Sequence, residues 1–133
     1  MDFEGVQKAV EESFNPRRIL IVEDDETTRN AIADLVRTSG MIPLTAGDAE
    51  TGWERFENEG PFHIVMIDLK LPGIDGIDML GKIREVNSEV PVVIFTGYLE
   101  SERLRELPRY NWVTLVSKPF TNVKLDTVLS SIR

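Results

Sequence analysis

Ile64-Val65-Met66-Ile67-Asp68 is an unbroken apolar run that ends in a single carboxylate. A run of this length that is rich in Ile and Val predicts a strand buried on both faces. The loop that follows, residues 69–76, is punctuated by Pro and Gly. In an open α/β sheet, ligands bind just beyond the carboxyl ends of the strands. The sequence therefore places Asp68 on the rim of a binding crevice.

Four further apolar runs resemble this strand, and a segment with helical periodicity follows each of the five. The predicted strands cover residues 19–22, 41–46, 64–68, 92–95 and 113–116. The predicted helices cover about residues 27–39, the segment from Asp48 to Gly60, and residues 77–83, 100–107 (closed by Pro108) and 121–132. This alternation predicts an α/β fold with a doubly wound, five-stranded parallel sheet and helices on both faces. In the flavodoxin-like strand order 2-1-3-4-5, the first and third strands are neighbours.

The length of 133 residues predicts one domain, which we expect to span residues 17–133. Residues 1–16 stand apart as an N-terminal leader. Their apolar residues Phe3, Val6, Val10 and Phe14 recur at roughly helical spacing before Asn15-Pro16 breaks the pattern. Two interpretations stay open: a short helix that docks on the domain or on a partner, or a frayed acidic leader.

Composition excludes several classes of function. The chain has 15 Lys and Arg against 23 Asp and Glu, a net charge of −8, which argues against direct nucleic-acid binding. It has no Cys, so disulfides, thiolate metal sites and thiol nucleophiles are excluded. No apolar stretch approaches the roughly 18 residues of a membrane span, and the N-terminus is not a signal peptide. We therefore expect a cytoplasmic location and no membrane partner.

Polar residues follow the first, third, fourth and fifth predicted strands: Glu23 and Asp24, then Asp68, Thr96 and Lys118. Three converging carboxylates cannot all stay ionised, so either one is protonated or a divalent cation lies among them. Hard oxygen ligands favour Mg²⁺, which suits the binding of a phosphoryl group. Lys118 and Thr96 would donate to phosphoryl oxygens, and Asp68 would be the nucleophile. The pattern predicts a site that phosphorylates its own aspartate.

Each of these residues taken singly also has an ordinary structural interpretation. Acidic residues after a strand often only complement the dipole of the next helix, and we interpret Asp25 and Glu26 in that way. Thr96 alone would be an ordinary residue at a strand end, and Lys118 alone a solvated lysine. The agreement of four strand ends on one chemistry is what favours a common site.

The motifs around these residues resemble those of the receiver domain of two-component response regulators, of the chemotaxis-regulator type, over about residues 18–133. The matching segments are Ile-Leu-Ile-Val-Glu23-Asp24-Asp25 with Arg29, Ile-Asp68-Leu-Lys-Leu-Pro72-Gly-Ile-Asp75-Gly76, Phe-Thr96-Gly97 and Ser-Lys118-Pro119-Phe120. The last predicted helix ends with no linker after it, so we expect a lone receiver.

The resemblance implies a role for each matching residue. Asp68 would be the phosphoacceptor, modified to 4-aspartylphosphate, and would contribute to the Mg²⁺ site. Asp24 would bind Mg²⁺ directly, Glu23 would bind it through water, and the main-chain carbonyl of Lys70 would be a further ligand. Lys70 and Tyr98 lie at variable positions beside the site, where their size and charge should govern water access and the lifetime of the phosphoryl group.

Lys118 would hold the phosphoryl group and precede a cis Pro119. Thr96 would turn inward towards the phosphoryl oxygen and report the modification. The family often has Tyr or Phe three residues before the lysine, where this chain has Leu115. Rearrangement of the fourth helix must therefore contribute more to switching, or the output surface lies elsewhere.

Together these features predict a phosphorylation-dependent signalling switch. A sensor histidine kinase or a histidine phosphotransfer protein would donate the phosphoryl group from a phosphohistidine, and slow self-hydrolysis would reset the switch. The protein would catalyse its own phosphorylation without being a conventional enzyme. We expect output through the face formed by the fourth helix, fifth strand and fifth helix, which would bind an effector protein or a second copy.

Two alternatives stay open at this point. A pseudo-receiver would bind partners without phosphorylation; the complete set of acidic residues, Thr96 and Lys118 argues against it, while Leu115 is compatible with it. A metal-dependent phosphohydrolase on a similar scaffold usually needs a second acid two residues after the nucleophile. This chain has Lys70 there, which counts against a hydrolase.

Overall fold

A central parallel sheet organises the computed structural model, which describes residues 2–7 and 17–132. Its strand order is β2-β1-β3-β4-β5, and every neighbouring pair is parallel. This confirms the doubly wound α/β fold and the predicted order. The strands are β1 (Arg18–Val22), β2 (Ile42–Ala46), β3 (Ile64–Asp68), β4 (Val92–Thr96) and β5 (Val113–Ser117).

Four α-helices and one 3₁₀ helix connect and flank the strands. Asp25, Asp48 and Asp75 each begin an α-helix as the N-cap, and each side chain accepts from the main-chain N–H three residues on. The structure thus confirms the interpretation of Asp25 as a helix-start residue. The helices are α1 (Glu26–Thr38), α2 (Ala49–Glu59), α3 (Gly76–Val86), the 3₁₀ helix (Glu102–Arg109) and α4 (Asn122–Ile132).

The fourth predicted helix differs from the structure in type and in extent. A helix over residues 100–107 closed by Pro108 was expected, whereas the 3₁₀ helix covers Glu102–Arg109 and includes Pro108. None of its residues is fully buried. Most helical stability in proteins comes from packing an apolar face, and here Leu104 and Leu107 are only partly buried against the core, which gives limited support for a regular α-helix.

Side chains alternate along the strands to form two cores, one on each face of the sheet. On one face, Val65, Ile67 and Ile94 pack with residues of α2 and α3. On the other face, Met66 and Phe95 pack with residues of α1 and α4. Every residue of β3 and β4 is buried, which explains why both strands are near-continuous apolar runs. The two cores hold the carboxyl ends of the central strands in place.

The described part of the leader contains one helical turn. Residues 3–7 are helical, and the Asp2 carboxylate accepts from the main-chain N–H of Gly5 at 2.7 Å. The Phe3 side chain is 80 % exposed, so it does not dock on the domain. Val10 and Phe14 lie outside the described residues, as does the expected boundary at residue 16. Across residues 2–7 and 17–132, no helix is long and apolar enough to cross a bilayer.

Candidate functional site

The site lies at the carboxyl ends of β1 and β3, where the strand order reverses. Val22 pairs with Ile67, so Glu23 follows β1 beside Asp68, the last residue of β3. The main-chain N–H of Glu23 donates to the carbonyl of Ala46 at 3.0 Å, which extends the pairing with β2 past the end of β1. This is the position at which an open α/β sheet forms a crevice.

Three carboxylates converge there. One oxygen each from Glu23, Asp24 and Asp68 can be chosen so that all three lie within 4.8 Å of one another. Glu23 is fully buried and Asp68 is 5 % exposed, whereas Asp24 is open to solvent. The structure therefore brings together the acidic residues that the strand-end pattern singled out.

Lys118 joins this acidic cluster from the loop after β5. Its Nζ donates to Glu23 Oε1 at 2.6 Å and to Asp68 Oδ2 at 2.9 Å. Burial lowers the pKa of Lys118, but the hydrogen bonds and charges of the two carboxylates outweigh burial, so the pKa lies above its ordinary value. The Lys118–Pro119 peptide bond is cis, as predicted. The ammonium is thus held as a fixed cation between Glu23 and Asp68.

Glu23 has a strongly shifted protonation equilibrium. Its pKa is raised to about 8, mainly by burial and then by the neighbouring Asp68, while Lys118 opposes the shift. Near neutral pH the carboxyl group is therefore mostly protonated. A proton on Glu23 is one of the two ways to compensate three carboxylates, and a divalent cation among them is the other.

A cation can replace that proton at this site. Glu23 Oε2 is buried, and no hydrogen-bond partner for it is found within the described part of the chain. An unpartnered buried oxygen beside two further carboxylates is a donor set that suits a hard ion such as Mg²⁺. The residues present therefore fit the predicted metal, and Glu23, Asp24 and Asp68 are those that could hold it. The role predicted for the Lys70 carbonyl stays a prediction.

Thr96 ends β4 next to the site. It is buried, and its Oγ1 accepts from the main-chain N–H of Tyr98 at 2.9 Å. The Lys70 Nζ lies 5.1 Å from the centre of the Tyr98 ring, a cation–π contact, and the Lys70 main-chain N–H approaches Asp68 Oδ1 at 3.3 Å. These contacts connect the segment after β4 with the loop after Asp68.

The loop after Asp68 closes tightly on the start of α3. The main-chain N–H of Gly76 donates to the carbonyl of Leu69 at 2.9 Å. A Cβ atom on Gly76 would lie 2.4 Å from the main-chain oxygen of Asp68, closer than any side chain can approach. Glycine is therefore required by proximity, and the loop is held next to Asp68.

Two arginines, Arg103 and Arg29, make contacts in this region that no sequence pattern predicts. Arg103 of the 3₁₀ helix pairs with Asp78 at 2.9 Å and with Asp75 at 3.4 Å, and these two residues form the capping box of α3. The D-x-x-D spacing signals the capping box, but nothing in the sequence signals a partner 25 residues away. The side chain of Arg29 in α1 donates to a main-chain carbonyl of the loop after β1. Since every residue has such a carbonyl, this contact leaves no sequence signal.

An open groove of about 520 Å³ lies beside the site, between α1 and the loop that follows β5. Its lining is mostly apolar and includes Ala31, Ile32, Leu35 and Phe120. Lys118, which contacts Asp68, also lines this groove. The groove therefore adjoins the acidic cluster directly.

Comparison with known proteins shows which sequences and structures this one is similar to. The family model described as the response regulator receiver domain matches residues 19–130. The transcription factor SKN7 of Chaetomium thermophilum is 29 % identical over 113 residues, which are 84 % of this chain and 15 % of that protein. Sporulation initiation phosphotransferase F of Bacillus subtilis is 28 % identical over 103 residues, 77 % of this chain and 82 % of that protein.

The fold also has solved counterparts. The response regulator protein TrrA of Thermotoga maritima, solved in complex with Mg²⁺–BeF, superposes with a TM-score of 0.79 at 23 % identity and covers 88 % of this chain and 99 % of its own. By contrast, this chain spans only 15 % and 32 % of the first curated relatives it matches, SKN7 and the Bacillus subtilis regulatory protein YesN. The shared unit is one domain of those longer proteins.

Proposed function

The chain belongs to the response regulator receiver domain family, and from that membership we propose that it is a phosphorylation-dependent signalling switch with Asp68 as phosphoacceptor. The observation that carries the proposal is the arrangement of Asp68 and Glu23 around the Lys118 ammonium, with Asp24 alongside. We further propose that residues 17–133 form the receiver domain and residues 1–16 its leader. The proposed location is the cytoplasm, which suits a chain without Cys.

The proposed reaction is phosphoryl transfer from a phosphohistidine of a sensor histidine kinase or a histidine phosphotransfer protein. A carboxylate oxygen of Asp68 attacks phosphorus; the new P–O bond forms as the P–N bond breaks, and the imidazole nitrogen keeps the electron pair. Lys118 donates to a phosphoryl oxygen and offsets its charge. In the slow reset, water attacks phosphorus, and the products are inorganic phosphate and the Asp68 carboxylate.

Glu23, Asp24 and Asp68 would hold Mg²⁺, Asp24 directly and Glu23 through water, with the Lys70 main-chain carbonyl as a further ligand. When bound, the ion supplies positive charge next to the phosphoryl oxygens. The unpartnered Glu23 Oε2 supports this assignment. So does the Mg²⁺–BeF complex of the structural neighbour TrrA.

Thr96 would couple the modification to the rest of the fold. A turn of its hydroxyl towards the phosphoryl group breaks the hydrogen bond to the Tyr98 main chain. The segment after β4 then loses one of its attachments, and the charge of about −1.5 to −2 on Asp68 favours the rearranged state. Leu115 lacks the ring and hydroxyl of the usual aromatic residue, so the proposed switch depends on this segment.

The proposed partners contact two surfaces. The donor protein would approach over the groove that Lys118 lines, because Lys118 contacts Asp68. Output would use the face formed by the 3₁₀ helix, β5 and α4, towards an effector protein or a second copy. That face carries the exposed apolar side chains of Leu115 and Val123.

Neither alternative function is favoured by a specific observation. The hydrolase interpretation needs an acid at position 70, and the Lys70 side chain instead contacts the Tyr98 ring. A pseudo-receiver does not need a partly buried lysine held between two buried carboxyl groups, an arrangement that is costly to assemble.

The test is the intact mass of the protein after incubation with acetyl phosphate and Mg²⁺. We expect one added phosphoryl group on the wild-type protein, none with EDTA and none on Asp68→Asn. Asp75→Asn is the matched control, because Asn keeps the N-cap of α3 and leaves Asp68 unchanged.

A second donor distinguishes a wrong proposal from a poor small-molecule substrate. If acetyl phosphate gives no product, the measurement is repeated with a phosphorylated histidine donor. Absence of a phosphoryl group with both donors, or equal labelling of Asp68→Asn, would contradict the proposal and leave a phosphorylation-independent binding module.

A further inference from the structure

Arg29 projects from the first turns of α1 onto the main chain of the acidic loop. Its Nη1 donates to the carbonyl of Glu23 at 2.9 Å and approaches the carbonyl of Asp24 at 3.4 Å. The side chain is half-buried at this position. Arg29 therefore contacts two consecutive peptide groups whose side chains are the candidate metal ligands.

Gly47, which has no side chain, leaves room for the guanidinium of Arg29. A Cβ atom on Gly47 would lie 3.3 Å from Arg29 Nη1, so a side chain there would press on the guanidinium. The main-chain N–H of Glu23 donates to the carbonyl of Ala46 in β2. The Glu23 backbone is thus held at its N–H by β2 and at its carbonyl by Arg29.

This contact differs from that of the other cation at the site. Lys118 bonds the carboxylate oxygens themselves. Arg29, in contrast, forms no ion pair with a carboxylate within the described residues, so it leaves those oxygens available to a cation. Asp25 is separately occupied as the N-cap of α1, with Thr28 as its partner.

We propose that Arg29 is a positioning residue for the Mg²⁺ site: by holding the carbonyls of Glu23 and Asp24, it fixes the direction in which their carboxylates point. This inference rests on the proposed function, because it presumes that the carboxylates bind Mg²⁺. Outer-shell partners that orient metal ligands typically change affinity by about 10- to 100-fold when they are lost.

Charge alone would act in the opposite direction. The positive guanidinium repels a bound cation, so its removal would tighten binding if orientation did not matter. A lysine separates the two effects, since it keeps the charge but carries no rigid, planar guanidinium to hold the two carbonyls. Arg29→Lys therefore tests orientation at constant charge, and Arg29→Gln tests the loss of both.

The experiment is a calorimetric Mg²⁺ titration of the whole protein, with thermal unfolding in EDTA as a second readout. The control is Arg37→Gln on the same helix, which removes an exposed pair with Asp34 of little energetic weight. We expect about 10-fold weaker Mg²⁺ binding for Arg29→Lys and Arg29→Gln, and wild-type affinity for Arg37→Gln.

The outcomes separate this inference from the function on which it rests. Wild-type affinity in Arg29→Lys, or tighter binding in Arg29→Gln, would overturn the positioning role and leave the metal site intact. Wild-type protein that binds no Mg²⁺ would instead contradict the proposed site itself. If Arg29→Gln unfolds in EDTA, the Arg29→Lys variant, which keeps the charge, decides the question.

Discussion

Burial and, to a smaller extent, Asp68 raise the pKa of Glu23 to about 8 against an opposing contribution from Lys118. In an unfolded chain the same carboxyl titrates near its ordinary value of 4.5. Between these two values the folded protein binds more protons than the unfolded chain, so stability falls as pH rises. The stabilisation is fully present below about pH 4.5 and is lost as the pH rises through about 8.

Replacing Glu23 with Gln should make the free energy of unfolding less dependent on pH in this range. In EDTA, the free energy of unfolding of the wild-type protein should fall between pH 5 and pH 8, with a slope from this one proton of at most about 1.4 kcal/mol per pH unit. The measurement is urea unfolding at several pH values. Glu57→Gln, at an exposed position, is the control and should keep the wild-type slope. An unchanged slope in Glu23→Gln would mean that another group titrates in this range.

At the scale of elements, two contacts connect the site to the segments around it. The start of α3 closes against the Asp68 main chain through Gly76. The 3₁₀ helix, which buries no residue completely, is tied to the same helix start through Arg103. Both contacts link the loop after Asp68 to elements that are candidates for rearrangement.

Gly76→Ala should destabilise the protein by about 1–3 kcal/mol, because the new methyl group meets a main-chain oxygen that cannot move aside cheaply. Gly81→Ala, in the interior of the same helix, meets only the Tyr110 hydroxyl at 3.2 Å. Alanine at position 81 gains up to about 1 kcal/mol of helix propensity over glycine, so Gly81→Ala should be as stable as the wild-type protein or more stable. Denaturant unfolding of both variants checks this, and equal stability of the two would refute the close-approach argument.

Arg103→Gln should loosen the 3₁₀ helix without unfolding the domain. The lost pairs with Asp75 and Asp78 are partly exposed, so each is worth roughly 0.2–1 kcal/mol. We expect faster amide hydrogen exchange over Glu102–Arg109 and almost unchanged exchange in β3. Arg105→Gln, at an exposed position on the same segment, is the control. Slow exchange retained in Arg103→Gln would show that apolar packing alone holds the segment.

For the whole molecule, the sheet was predictable because its central strands are buried on both faces. That burial makes 64–68 and 92–95 continuous apolar runs, and a parallel sheet brings their polar ends to one edge. The convergence of Glu23, Asp24, Asp68 and Lys118 follows from strand order alone.

Other structural features depend on contacts that the periodicity of the sequence does not predict. The segment after β4 buries no residue completely, so its type and limits were not predictable from an apolar pattern. Arg29 binds main-chain carbonyls, which every residue has, and Arg103 meets Asp75 and Asp78 only once the chain is folded. The proton on Glu23 likewise follows from its burial in three dimensions.

The most direct test of the central claim is chemical identification of the phosphorylated residue. Borohydride reduces an aspartyl phosphate to homoserine, and trypsin then releases residues 56–70, in which Asp68 is the sole Asp. Residues 71–82, with Asp75 and Asp78, form the adjacent control peptide. After incubation with acetyl phosphate and Mg²⁺, we predict homoserine at position 68 and unmodified residues 71–82. Homoserine in another peptide, with residues 56–70 unmodified, would contradict the assignment of Asp68 as phosphoacceptor.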